Sequence, residues 1–400
     1  MAPGAPTLSR QRGVPRDVVA DVPGDAGADP GRWIDAVYRV RAAAEDIEAR
    51  AQALALEQSI EAPLAAVGDA RVLREVVARV TDIVPAAGDL PAGRQGFDVT
   101  IRIAVETTGA EAGQLLNMLF GNTSLHDDVA LVDAAFPPAF AQGFGGPAFG
   151  IAGIRELAGA TGRPLTCSAL KPQGLPAAAL ASIARTFALA GIDVIKDDHG
   201  LADQAAAPFA QRVHAVQRAV DCANRETGGR TVYAPSLSGH FGSMCEQVAH
   251  ARDYGVRMFL VAPMIAGVAT LAALVREANA PIIAHPALAG AARIAPPLLL
   301  GRLFRMFGAD ATIFPNAGGR FGYSTEVCDA IADAARGPWH GIAPMLPVPA
   351  GGMTVERVPG IRAQFGADTM LLIGGSLLAA RDGLAQRCRD FVAAVHGDSR

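Results

Sequence analysis

Between residues 164 and 395 the chain repeats one pattern eight times: a short apolar run rich in β-branched residues, a polar or glycine-rich junction, then a stretch of helical periodicity. Strands are expected at Pro164–Leu170, Val194–Lys196, Thr231–Ala234, Met258–Ala262, Ile282–His285, Ala311–Phe314, Ala343–Val348 and Met370–Ile373. Helices are expected at Ala177–Ala190, Phe209–Asn224, Cys245–Tyr254, Thr270–Ala278, Leu298–Phe307, Thr325–Ala335, Val355–Phe365 and Leu384–Val395. Such alternation calls for parallel strands covered by helices. Eight units in about 240 residues is the size of a (β/α)8 barrel, which the count of units favours over a doubly wound sheet.

The region before the barrel is less regular. Trp33–Ala42, Ala53–Glu61, Glu75–Val84 and Phe97–Glu106 read as strands, and Ala43–Arg50 and Glu111–Phe120 as helices, in an order that suits an α+β domain with a largely antiparallel sheet. Pro137, Pro138 and the glycines from Gly143 to Gly150 punctuate its end. The expected division is a flexible N-terminal arm over residues 1–31, an α+β domain over 32–137 and the barrel over 138–400. The arm has no apolar core of the kind a secretory signal needs.

In a barrel of this kind the carboxyl ends of the strands carry the chemistry. The second strand ends in Lys196-Asp197-Asp198-His199-Gly200, and charges persist at a buried strand end only if they are paired, titrated away or bound to a cation. Alternate residues share a face, so Lys196 and Asp198 point the same way and His199 follows as the chain leaves the sheet. Other strand ends offer Lys171 and Gln173, then His285, then Asn316 to Arg320, then Gly351-Gly352, then Gly374-Gly375. Glycine pairs let backbone N–H groups approach an anion, and barrels commonly hold phosphate after the seventh and eighth strands.

Composition narrows the class. A net charge of -4 with no concentrated basic patch excludes a nucleic-acid binder, and no uninterrupted apolar run is long enough to span a bilayer. Five scattered cysteines without a CxxC pair argue against a disulfide framework and a zinc ribbon, and for a cytoplasmic setting.

Leu170-Lys171-Pro172-Gln173-Gly174-Leu175, the segment Gly191 to Asp198, Leu201-Ala202-Asp203-Gln204, His285-Pro286-Ala287-Leu288 and the paired glycines, taken in that order, resemble the ribulose bisphosphate carboxylase large chain. The chain is most similar to the form IV branch, the RuBisCO-like proteins, over roughly residues 33 to 395. The resemblance implies that Lys196 is carbamylated by CO2 and holds Mg2+ with Asp198 and a third ligand, here His199 where the family has glutamate. Imidazole suits a transition metal better, so another divalent metal is a second expectation. The resemblance also implies proton transfer at Lys171 and a catalytic role for His285. Gln173, Arg320, Gly351, Gly352, Gly374 and Gly375 become candidates for binding a singly phosphorylated substrate. A homodimer without small subunits is implied too, in which Glu57 and Asn122 of the neighbouring subunit complete the site.

Gln173 replaces a family lysine, Pro286 stands where the carboxylase has arginine, Ala350 where it has serine, and Arg320 lies in a loop lacking the carboxylation lysine. Carboxylation of a bisphosphate is therefore not expected. The expected activity is formation of a metal-stabilised enediolate from a phosphorylated ketose or 3-oxo sugar acid, as in isomerisation or enolisation of methylthioribulose phosphate. Alternatives are a decarboxylase or transcarboxylase of a phosphorylated 3-oxo sugar acid of the 3-oxo-isoapionate 4-phosphate type, and a non-catalytic binding protein that keeps the fold.

Overall fold

The computed structural model describes residues 30–86 and 95–397. The arm expected over residues 1–31 lies outside them apart from Pro30 and Gly31. Two compact units result, one of residues up to Gly109 with Gln114–Pro137, the other of Ala110–Gly113 with Pro138 onward.

In the first unit, β1 (Trp33–Ala42), β2 (Arg79–Pro85), β3 (Gln95–Ala104) and β4 (Val129–Ala135) form an antiparallel sheet of order β2-β3-β1-β4. Ile34, Ala36, Tyr38 and Val40 of β1 and Phe97, Val99, Ile101 and Ile103 of β3 supply one buried face, the period-two signature of a sheet covered on one side. Ala53–Glu61 is not a strand: most of it belongs to a helix, Ile47–Glu57, that packs on β2 and β3. Its alternating Ala and Leu imitate a strand. Alanine, leucine, glutamate and glutamine favour the helix, and the buried Ile47, Ala51, Leu54 and Ala55 follow helical spacing.

The second unit is the expected barrel. Its strands are β5 (Leu165–Leu170), β6 (Val194–Asp197), β7 (Val232–Ala234), β8 (Phe259–Val261), β9 (Ile282–Ala284), β10 (Ala311–Pro315), β11 (Leu346–Ala350) and β12 (Met370–Leu372). Parallel ladders run from β12 through β5 and β6 to β7, and from β8 through β9 and β10 to β11. A bridge between Ser236 and Leu260 joins β7 to β8. The seam between β11 and β12 has a local cause: Leu346 N–H and the Ala350 carbonyl face β10, so the alternate positions turned toward β12 are Pro347 and Pro349, which have no N–H to give. The Pro347 carbonyl still accepts from Thr369 Oγ1 at 3.1 Å across that seam.

Inside the barrel, Leu165, Cys167, Val194, Ala234, Leu260, Ile283, Ile313, Val348 and Met370 pack as one apolar core. Two buried carboxylates brace the opposite end from the expected site. Asp193 takes both Arg163 nitrogens at 2.7 and 2.8 Å and the Thr166 amide at 2.8 Å. Asp310 takes the amides of Phe149, Gly150 and Ile282 at 2.8, 2.7 and 2.9 Å. Replacing Asp310 by alanine strands three buried donors, so Asp310→Ala is expected to lower unfolding free energy by roughly 3 kcal/mol or more in denaturant titration.

Candidate active site

The pairing of β5 with β6 sets Ala169 beside Lys196 and Leu170 beside Asp197, so Lys171 and Asp198 emerge together at the carboxyl ends of neighbouring strands. Lys171 Nζ lies 2.9 Å from Asp198 Oδ1. Burial disfavours the Asp198 charge, but hydrogen bonds from His199 and Lys171 and the nearby lysine charges overcome it and hold the carboxyl well below its ordinary value. Lys196 is 2% exposed, and its Nζ donates to the Asp197 carbonyl at 2.8 Å. Burial pulls its pKa down, against the opposing influence of Cys167 and Asp198. A buried amine with a lowered pKa is more often the neutral nucleophile.

Two histidines meet above these lysines although they come from β6 and β9, three strands apart around the barrel. The rings of His199 and His285 stack with centroids 4.1 Å apart and planes 12° from parallel. His199 Nδ1 is 3.4 Å from Asp198 Oδ1, and His285 Nδ1 accepts the Ala287 amide at 3.1 Å. His285 is pushed down to about 2, by burial first and then by the charges of Lys196 and His199. Its ring is therefore expected to stay neutral, with NMR shifts flat from pH 5 to 8. An unfolded histidine titrates near ~6.5. This group's contribution to stability is thus full above that pH and is lost as pH falls from there toward about 2.

The loop after β12 closes the ring. Gly374 is in van der Waals reach of the Lys171 side chain, a Cβ there lying 3.7 Å from Lys171 Cε. Gln173 covers Gly200 so closely that any side chain at Gly200 would overlap its carboxamide. Gly351 and Gly352 have φ of +82° and +80°, conformations that favour glycine, and backbone from the β10 loop packs against them: a Cβ on Gly319 would fall 1.9 Å from the Gly351 carbonyl oxygen. Ser376 Oγ donates to the Met353 carbonyl at 2.8 Å, tying the β12 loop to the β11 loop.

Lys171, Lys196, Asp198, His199, His285, Gly374 and Gln173 are thus gathered at one end of the barrel. Arg320 is exposed, with its guanidinium 5.3 Å from the Phe321 ring centroid, and its backbone amide lies 3.4 Å from the Gly351 carbonyl. Glu57 and Asn122 meet one another in the first unit: Asn122 Nδ2 donates to Glu57 Oε1 at 3.0 Å and to Glu61 Oε1 at 2.9 Å. His240 caps its own helix by accepting the Ser243 amide at 3.2 Å. Sequence reasoning placed Asp197 only in the charged strand end and assigned Arg212 and Tyr233 no role, yet these three with the Ser236 amide form a buried cluster behind Lys196. One signal was available: Arg212 falls on the apolar face Phe209, Val213, Val216 and Val220.

Such a ring of lysines, carboxylate and histidines at the mouth of a (β/α)8 barrel has the chemistry that proton transfer at a polarised carbon requires. A family model for the ribulose bisphosphate carboxylase large chain, catalytic domain, matches residues 150–389. The chain is 54% identical over 364 residues to the 5-methylthioribulose-1-phosphate isomerase of Rhodospirillum rubrum, covering 90% of this chain and 96% of that protein. The crystal structure of the Rubisco-like protein from Rhodopseudomonas palustris superimposes with a TM-score of 0.84 at 50% identity, covering 93% of this chain and 99% of that one. The 2,3-diketo-5-methylthiopentyl-1-phosphate enolase of Geobacillus kaustophilus is 35% identical over 306 residues, 74% of each chain. The chain belongs to the ribulose bisphosphate carboxylase large-chain family, in its RuBisCO-like branch. It is an enzyme, and its named relatives there are an isomerase and an enolase. No helix among the described residues is long and apolar enough to cross a membrane.

Proposed function

We propose that this enzyme isomerises 5-methylthioribulose 1-phosphate, moving a proton between carbons of the ketose through an enediolate. The observation that carries this is the Lys171–Asp198 pair beside a buried Lys196, in a chain 54% identical to an isomerase of that name over nearly its whole length. Lys171 exchanges a proton with the carbon next to the substrate carbonyl, and Asp198, ionised at 2.9 Å, orients the amine and balances its charge. His285, kept neutral by burial, presents an uncharged imidazole beside the developing enediolate.

The donor set also suits a cation. Among the described residues no three of His, Cys, Asp and Glu are grouped as a metal site, so Asp198 and His199 need a third ligand. Lys196 can supply it: its buried amine, in the neutral form, would form an N–C bond with CO2 and release one proton to solvent base, giving an anionic carbamate with hard oxygen donors. Carbamylated Lys196, Asp198 and His199 would hold Mg2+ or another divalent ion, which when bound polarises the substrate carbonyl. We assign phosphate binding to the loops of Gly351, Gly352, Gly374 and Gly375, with Gln173 bordering the site and Arg320 at its rim. We further propose a homodimer in which Glu57 and Asn122 of the neighbouring subunit complete the site.

The test is to follow 5-methylthioribulose 1-phosphate by phosphorus and carbon NMR with bicarbonate and Mg2+ present. Appearance of a phosphorylated isomer of equal mass supports the assignment. Conversion of 2,3-diketo-5-methylthiopentyl 1-phosphate instead would make the protein an enolase. Release of CO2 from a phosphorylated 3-oxo sugar acid would make it a decarboxylase.

A further inference from the structure

Behind the lysines lies a buried charge cluster that proton transfer does not use. Asp197 follows Lys196 on β6, so its side chain leaves the strand on the opposite face. Its carboxylate is fully enclosed and accepts from Arg212 Nε at 3.0 Å, Tyr233 Oη at 2.8 Å and the Ser236 amide at 3.1 Å. Arg212 is 0% exposed, and its Nη1 donates to the carbonyls of Ala202 and Ala207 at 2.8 and 2.7 Å. Those carbonyls belong to the connection from β6 to helix Phe209–Thr227, the segment that carries Asp198 and His199. The segment is braced further by the Leu201 amide on the Asp198 carbonyl at 2.9 Å and Gln204 Nε2 on the Gly200 carbonyl at 2.7 Å. On the inner side, the Asp197 carbonyl receives Lys196 Nζ.

A buried ion pair is a poor source of stability, because desolvation offsets much of the attraction. It is a good source of position. We propose that Arg212, with Tyr233, is a positioning residue: through Asp197 it fixes the peptide that seats the Lys196 amine and aims the Asp198 carboxylate at Lys171. The inference rests on Lys171, Lys196 and Asp198 being the working site.

The full-length Tyr233→Phe, Arg212→Lys and Asp197→Asn/Arg212→Met proteins test it. Tyr233→Phe removes one hydroxyl and keeps the ring; its kcat is expected to fall about 10-fold with KM and melting temperature little changed. Arg212→Lys is expected to lose more, since an ammonium cannot serve a carboxylate and two carbonyls in one plane. In the crystal structure of the double variant, which keeps bulk without charge, the 2.9 Å Lys171–Asp198 pair is expected to open. Two results would overturn the proposal: a double variant in which that pair and the seat of Lys196 are unchanged, or a Tyr233→Phe protein that melts earlier at undiminished kcat. If the native protein does not turn over the ketose phosphate, the functional assignment fails while the crystallographic comparison still decides the positioning role.

Discussion

Replacing Lys171 by methionine is expected to lower kcat for 5-methylthioribulose 1-phosphate by roughly 10³-fold while KM changes by about twofold or less. On the proposed assignment the amine carries the migrating proton, and methionine keeps most of its length without any basic atom. Two neighbours are less suited: Lys196 is held by the Asp197 carbonyl, and His285 has its Nδ1 occupied by the Ala287 amide. Because Lys171 is only partly buried and its ion pair is partly solvated, the variant should melt near the native temperature. A kcat loss confined to Lys171→Met, with substrate still bound, separates a proton carrier from a binding residue. A matched rise in KM at unchanged kcat would instead assign Lys171 to ground-state binding.

The second large effect is expected for Lys196→Met, a loss of kcat of roughly 10³-fold or more that added metal does not restore. Here the side chain is enclosed, with the Asp197 carbonyl receiving its amine. Methionine fills similar volume without a group that must be desolvated, so the melting temperature should not fall by more than a few degrees, and an increase is consistent with the same physics. Carbon-13 NMR with labelled bicarbonate and Mg2+ gives a readout independent of turnover: a carbamate resonance in the native protein, absent from Lys196→Met. Retention of that resonance in the variant would place the modification on Lys171, the one other lysine of the sequence, or on the N-terminus.

The barrel was legible in the sequence because each strand is a short apolar run closed by a polar junction, and that spacing survives small errors at the ends. The strand expected at Ala343–Val348 is Leu346–Ala350. Its two prolines, Pro347 and Pro349, blurred the boundary, and their meaning becomes visible only once the neighbouring strands are known. The first unit was harder. Alternating Ala and Leu in Ala53–Glu61 imitated a strand, and β4, a run of small apolar residues at Val129–Ala135, was not recognised at all.

At the candidate site, the placement of Lys171, Lys196, Asp198 and His285 was legible because each sits at the carboxyl end of a barrel strand. That His199 would lie flat against His285 was not, since it depends on how two distant loops fold over the mouth. Nor was the division of labour between adjacent aspartates. Sequence places Asp197 and Asp198 side by side, whereas strand geometry sends one behind the sheet to Arg212 and Tyr233 and leaves the other facing Lys171. Arg212 on an apolar helix face was the visible hint, but a lone arginine there does not name its partner.

Solvent isotope exchange tests most directly whether the barrel mouth removes a proton from the carbon beside a carbonyl. The native protein is incubated with 5-methylthioribulose 1-phosphate in D2O containing bicarbonate and Mg2+, and recovered substrate and product are examined by proton NMR and mass spectrometry. Deuterium at a carbon adjacent to the carbonyl, absent when Lys171→Met replaces the native protein, is the expected result. Isomer formed without exchange would leave proton transfer shielded from solvent. Neither exchange nor isomer, in native protein whose Lys196 carries the carbamate, would contradict the account.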